Sequence, residues 1–320
     1  MEQNFTTTVT EFILLGLCQN PKLRFLLFFI FLFVYMMTWI GNFTIIATVI
    51  FDLHLHTPMY FLLANLAFAD VTYGSSTVPL MLSGLLTQGM IVSFASCFSQ
   101  MFFSHLTGGA EVFFLGVMAI DRYIAIHKPL HYTTIMNQSV CMGLVAGAWL
   151  GGFIHSIIQI ILLVQLPFCG PNKLDNFYCD VPQVIKLVCT ETFLLELLTV
   201  SNNGLITTLI FIILMLSYTI ILIKIRTHIT EGKHKAFSTC GAQIVVVCLI
   251  FLPSTLIYAR PFRTFPWDKS VSVLYTGVTP MLSPLIYTLR NNEMKAAIKR
   301  FRKVHFIHIF TLKSPHKVKH

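Results

Sequence analysis

Seven apolar runs divide the chain, at roughly 24–51, 58–86, 95–123, 140–166, 196–223, 237–259 and 270–289. Each is about the 20 residues that a helix needs to cross a bilayer. Polar breaks separate them at 52–56, 87–93, 128–139, 168–191, 226–235 and 260–269. Five of the runs carry no charge across their cores; the second holds Asp70 and the third Glu111. The stretch 291–302 then alternates apolar and basic positions as an amphipathic helix lying on a membrane surface does. The pattern predicts an all-α membrane protein, a seven-transmembrane helix bundle with a short amphipathic eighth helix. No repeat relates the two halves and no segment is of low complexity.

Composition agrees with a bundle in lipid. Of 320 residues, 55% are hydrophobic and 11% charged, against about 25% charged in a soluble domain. The first ten residues lack a basic segment followed by an apolar one, so no cleavable signal peptide is expected and the first span does its own targeting. An odd number of spans puts the ends of the chain on opposite sides. With the first, third and fifth connections and the tail on one side, that side holds 15 of the 22 Lys and Arg. The positive-inside rule makes it cytoplasmic. The expected organisation is an extracellular segment 1–23, a transmembrane domain 24–289 and a cytoplasmic tail 290–320. Lys22 and Arg24 flank the first span on the outer side and run against this locally; the total decides. The net charge of +9 thus reflects topology and anionic lipid, and nucleic acid is not an expected partner. Asn4-Phe5-Thr6 is a glycosylation triplet on the outer side.

The cysteines divide by compartment. Cys97 ends the third span on the outer side, and Cys169, Cys179 and Cys189 lie in the long second outer loop. Four oxidisable cysteines allow three pairings, which the sequence alone does not separate. Free thiols suit an oxidising face poorly, and zinc would want a histidine at ligand spacing, which is missing there. Within the spans, Asp70 and Glu111 must be protonated, paired or hydrated; Asn42 and Ser283 are positioned to complete a polar cluster with Asp70. No nucleophile or metal-ligand pair sits at usable spacing with either acid, so neither looks catalytic, and no cofactor is implied.

At the inner end of the third span, 118–132 reads M-A-I-D-R-Y-I-A-I-H-K-P-L-H-Y. Asp121, Arg122 and Tyr123 fall where a membrane helix meets water. Adjacent opposite charges there can hold each other in one state and separate in another, releasing Arg122 toward a partner; alternatively they only mark the helix end and snorkel. The string closely resembles M-A-[YF]-D-R-Y-[VL]-A-I-C-x-P-L-x-Y of the olfactory receptors, a branch of the rhodopsin-like G-protein-coupled receptors, with Ile120 and His127 as departures. Four further matches follow in order: L-H-T-P-M-Y at 55–60, Ser217-Tyr218 closing the fifth span, K-A-F-S-T-C at 235–240, and P-M-L-S-P-L-I-Y at 280–287 followed by Leu289-Arg290-Asn291. In the last, Ser283 replaces the family's asparagine.

The resemblance implies disulfides Cys97–Cys179 and Cys169–Cys189. It implies signalling through a heterotrimeric stimulatory, olfactory-type G protein that raises cyclic AMP, with Asp121, Arg122, Tyr123, Tyr218, Lys235 and Tyr287 at the coupling end. In the wider superfamily the region of Asp70 holds a sodium ion, and an acid resembling Glu111 adds to it; a hydrogen-bonded network without an ion is the alternative, and Ser283 weakens the usual cage. Helical period picks out inward faces for a ligand: Ser104, His105, Gly108 and Gly109 in the third span, Asn202 and Asn203 in the fifth, and Phe251, Ser254, Thr255 and Tyr258 in the sixth. Many such positions simply pack helix on helix, and paired glycines allow close crossings. Together they describe a small apolar pocket with a few hydroxyl and amide groups. With no base deep inside and Arg260 at the rim, a small, neutral, volatile odorant is the expected ligand. A chemoreceptor of the same fold that senses an endogenous metabolite would use the same pocket. A transporter would show repeats and broken spans, and a membrane enzyme a catalytic constellation; neither is apparent.

Overall fold

The structure, a computed structural model, describes residues 9–87, 89–169, 171–228, 233–259 and 265–312, without the side chains of 228, 233–236, 239, 290 and 303–312. Asn4, Arg260 and the side chain of Lys235 therefore lie outside the described residues. Four helices come first: α1 (Pro21–Phe51), α2 (Pro58–Thr87), α3 (Phe94–His127) and α4 (Gln138–Val164). α5 runs on through Phe193–Thr199, a π-helical turn at Val200–Leu205 and Ile206–His228. α6 is Lys233–Tyr258, and α7 passes from Asp268–Val273 through a second π turn, Leu274–Val278, into Thr279–Arg290. α8 is Asn292–Leu312.

Local chemistry sets the helix starts. Asn20 precedes Pro21, and its side chain accepts the N–H groups of Lys22 (3.0 Å) and Leu23. Ser93 and Asn137 do the same for α3 and α4, and Asn291 Oδ1 accepts from Glu293 and Met294 to open α8. Each cap supplies an acceptor to donors that the helix leaves unpaired. α8 is longer than the 291–302 expected, because no glycine or proline interrupts the chain before Pro315. Met294, Ala297 and Ile298, at i, i+3 and i+4, are buried and dock it on the bundle core.

Among the described residues, five helices, α1, α3, α4, α5 and α6, are long and apolar enough to cross a membrane by length and composition. α2 falls short because polar residues such as Asp70 and Thr77 dilute its apolar stretch, and α7 because Ser272, Thr276, Thr279 and Ser283 do the same. Both still pack as spans, α2 between α1 and α3, α7 against α1 and α6. α3 is the centre, with half of its apolar window buried against 22% for α1, whose Phe25, Phe29 and Phe33 face outward.

The connections at the disulfide end form a small sheet that an all-α expectation misses. β1 (Glu11–Leu14) pairs antiparallel with β2 (Met90–Ser93) and parallel with β3 (Lys173–Leu174), in the order β2-β1-β3. Alternation explains it: Phe12 and Leu14 point inward while Glu11 and Ile13 point away, as a half-buried strand requires. Phe12 meets the rings of Phe94 and Phe168 at about 6 Å.

Glycine sets how closely α3 and α4 cross. A Cβ on Gly152 would collide with the Leu106 carbonyl and come within 2.7 Å of the Ala110 amide; one on Gly151 would strike the Phe113 ring at 2.6 Å.

Candidate functional site

Between α3, α4, α5 and α6, beneath the loop that precedes α5, lies a cavity of about 320 Å³. Ser104, His105, Gly108, Gly109, Asn202, Asn203, Ser254 and Tyr258 all line it. Phe251 and Thr255 do not. Phe251 is fully buried and stacks on Phe211 at 5.7 Å, deeper in the bundle; the Thr255 hydroxyl is buried without a hydrogen-bond partner among the described residues. The π turn in α5 explains why two consecutive asparagines share one cavity. It widens the helix, and such bulges cluster at functional sites.

Sequence reasoning missed several lining groups. His155 on α4 sits with its ring 5.7 Å from that of His105, in the same cavity as Asn202 and Asn203. Its sequence signal, one histidine in an apolar helix, is weak. Tyr275 enters from the π turn of α7, where helical period no longer assigns faces. Glu111, expected in the polar centre, also lines the cavity.

The roof comes from the loop after Cys179. Cys97 and Cys179 are joined, with Cα atoms 5.5 Å apart, and Cys169 joins Cys189 with Cα atoms 5.4 Å apart. Gln100 on α3 pins the roof further, accepting the Cys179 N–H (2.9 Å) and donating to the Ser76 carbonyl (3.0 Å). Asp180, 4% exposed, accepts from Tyr258 (2.9 Å) and Tyr178 (3.0 Å), and the Tyr178 and Tyr275 hydroxyls are 2.7 Å apart. This acid and its three tyrosines tie the loop to α6 and α7.

Burial pushes the Asp180 carboxyl up to about 6, against the pull of the Tyr258 and Tyr178 hydroxyls and the Val181 N–H. The ordinary value is 3.8, so the folded loop holds the protonated form better than the unfolded chain does. This contribution to stability is full below about pH 4 and is lost as pH rises through about 6. The purified protein is therefore expected to lose melting temperature between pH 5 and pH 7 more steeply than an Asp180→Asn variant. Identical slopes would show that another group titrates there.

Inside the bundle, Asn42, Asp70, Glu111 and Ser283 are all buried. Asn42 Nδ2 donates to the Thr38 and Pro280 carbonyls, each at 3.0 Å, and Ser283 donates to the Thr279 carbonyl at 3.1 Å. These donors go to backbone and not to Asp70. Asp70 and Glu111 lie within electrostatic reach of each other. One oxygen of each acid and Oδ1 of Asn42 are buried without a partner among the described residues. Such an all-oxygen set fits a small hard cation or water.

At the opposite end, Arg122 Nε donates to Asp121 Oδ2 at 2.9 Å, and Tyr132 donates to Asp121 Oδ1 at 2.7 Å. Asp121 is fully buried. Tyr132 belongs to a helical turn, Tyr132–Ile135, in the connection to α4. Tyr123 is exposed and stacks on His127 at 4.1 Å, so this departure from the family string keeps a packing role. Tyr218 and Tyr287 are buried, their hydroxyls without a partner among the described residues. Arg300 on α8 bonds Asp52 at 2.8 Å, and Tyr60 donates to Glu293 at 2.8 Å, fastening α8 to the start of α2 and the connection before it.

A family model described as olfactory receptor matches residues 31–304. The human protein Olfactory receptor 4Q2 is 53% identical over 302 residues, 94% of this chain and 96% of that protein. Human Olfactory receptor 4D1 is 54% identical over 303 residues, covering 95% and 98%. Mouse Olfactory receptor 4E2 is 52% identical over 297 residues, covering 93% and 96%. Family, helical architecture and near-complete coverage coincide, and the chain is a multi-pass membrane protein that belongs to the olfactory receptor family of G-protein-coupled receptors.

Proposed function

We propose that this receptor binds a small, neutral, mostly apolar volatile in the cavity beneath Asp180 and activates a stimulatory, olfactory-type G protein, raising cyclic AMP. The cavity carries the reading. It is small, mostly apolar, and bears two histidines, two asparagines and a few hydroxyls, the chemistry of a site that orients a small ligand. Its described lining holds two acids, Glu111 and Asp180, and neither lysine nor arginine, which disfavours a carboxylate. The proposed orientation puts the disulfides and the N-terminus outside, as oxidised cysteines and the distribution of Lys and Arg both favour.

The mechanism is a shift between two helix arrangements. A ligand touching His105, Asn202 and Tyr258 acts on the end of α6 that Tyr258 ties to Asp180. The other end of α6 packs near Arg122 and Tyr218, which lie within electrostatic reach of Cys240. In the favoured arrangement that end moves away, and Arg122, Tyr218 and Lys235 meet the G protein. Unpaired buried hydroxyls on Tyr218 and Tyr287 raise the energy of the closed arrangement and so favour release. Asn42, Asp70, Glu111 and Ser283 connect the two ends.

The test is a cyclic AMP screen of epitope-tagged receptor at the cell surface against volatiles of several chemical classes. Agonism by neutral apolar volatiles, lost in His105→Ala and Tyr258→Ala at equal surface level, is the expected result. Activation confined to carboxylates, or agonism indifferent to both substitutions, would overturn the reading.

A further inference from the structure

Four residues that line the cavity are also strongly exposed: Phe113 (42%), Ile154 (50%), Ile158 (43%) and Ile206 (46%). They come from α3, α4 and α5, inside helices apolar and long enough to span a membrane. An apolar side chain exposed on such a helix faces hydrocarbon. The cavity wall is thus, on one side, the surface that the protein shows to lipid.

Packing explains the gap. α4 lies on α3 and α2, and α5 on α3 and α6, leaving little direct contact between α4 and α5. Gly151 thins the α4 wall further: the space its side chain would fill holds the Phe113 ring. The roof is built differently. Tyr178, Cys179, Asp180 and Tyr275 are nearly inaccessible, and the loop is held by a disulfide, by Gln100 and by two hydrogen bonds to Asp180. Opening the roof breaks buried polar bonds, each costly to leave unmade. Opening the side needs isoleucine rotamer changes and a ring movement, which are fast and break no hydrogen bond.

We propose that ligands enter and leave the cavity sideways, from the bilayer, through the gap between α4 and α5 rimmed by Phe113, Ile154, Ile158 and Ile206. The molecules admitted are uncharged and lipophilic, because hydrocarbon excludes ions, and the concentration the receptor senses is the one in the membrane. The proposal rests on the cavity being the ligand site, but the access route is measured without any odorant.

The experiment uses full-length receptor in phosphatidylcholine nanodiscs, with Cys18, Cys141, Cys240 and Cys248 changed to Ser and a reporter thiol, Ser254→Cys, on the α6 side of the cavity. N-dodecylmaleimide stays in the bilayer; a sulfonated maleimide stays in water. N-dodecylmaleimide is expected to modify the reporter, and Ile158→Trp to slow it by about tenfold or more, a barrier increase of about 1.4 kcal/mol. Ile161→Trp, on the same helix and exposed away from the cavity, leaves the rate unchanged, and the sulfonated reagent reacts at least about tenfold more slowly. Ile206→Trp repeats the test from α5 should Ile158→Trp fail to fold. Faster reaction from water, no reaction with either reagent, or indifference to both rim substitutions would overturn the lateral route. A receptor that labels as expected yet answers no volatile would keep the route and lose the odorant reading.

Discussion

Gly152→Ala is expected to cost this receptor most of its folded, surface-delivered population, although the change adds one methyl group. That methyl meets the Leu106 carbonyl and the Ala110 amide of α3, which are backbone and have no rotamer to yield. Overpacking of this kind costs about 1–3 kcal/mol and more where nothing can move. One or two kcal/mol already changes cellular abundance several-fold. Gly147→Ala on the same helix, with nothing within 4 Å of its Cβ position, supplies the control and gains about 1 kcal/mol of helix propensity. Melting temperature in detergent and surface labelling read both variants. Equal behaviour would show that α3 and α4 do not cross this closely.

Arg122→Ala, compared at equal surface level, is expected to lower ligand-stimulated signalling by about tenfold or more, equivalent to losing one charge-assisted contact of about 1.5–3 kcal/mol. The removal also strands Asp121, fully buried, with Tyr132 as its remaining side-chain donor among the described residues. A buried charge without its partner destabilises by about 3–5 kcal/mol, so signalling must be normalised to folded receptor. The double change Asp121→Asn with Arg122→Ala separates the two effects: it relieves the stranded charge and leaves signalling low. Undiminished signalling in either variant would contradict a contact between Arg122 and the G protein.

Reading the chain in one dimension succeeded where a periodic pattern or a contiguous string carried the information. The seven runs and the 118–132 string need only local composition and order to be seen. Eight of the ten positions line the cavity; six follow from helical period because α3 and the outer part of α6 are regular there, while Asn202 and Asn203 reach it together through the π turn of α5. The failures have particular causes. Phe251 and Thr255 share the helical spacing of Ser254 and Tyr258 but lie deeper or beside the cavity, which period along one helix does not resolve. Tyr275 sits on a π turn that shifts every face after it. Asp180 lies in a loop, and only the tether at Cys179 brings it over the cavity. The three-stranded sheet joins segments far apart in the chain, and four residues of alternation are too few to announce a strand.

That sheet bears on how the receptor is made. Glu11 pairs with Ser93 and Ile13 with Lys173, so the first strand has no complete docking site until the ribosome has passed the middle of the message. Until then its inward-facing Phe12 and Leu14 and its backbone edges are open to chaperones or to other chains. Contacts of such long separation form slowly. Export of this receptor from its site of synthesis should therefore respond to changes in residues 11–14 out of proportion to their number, even where ligand recognition by the mature protein is untouched.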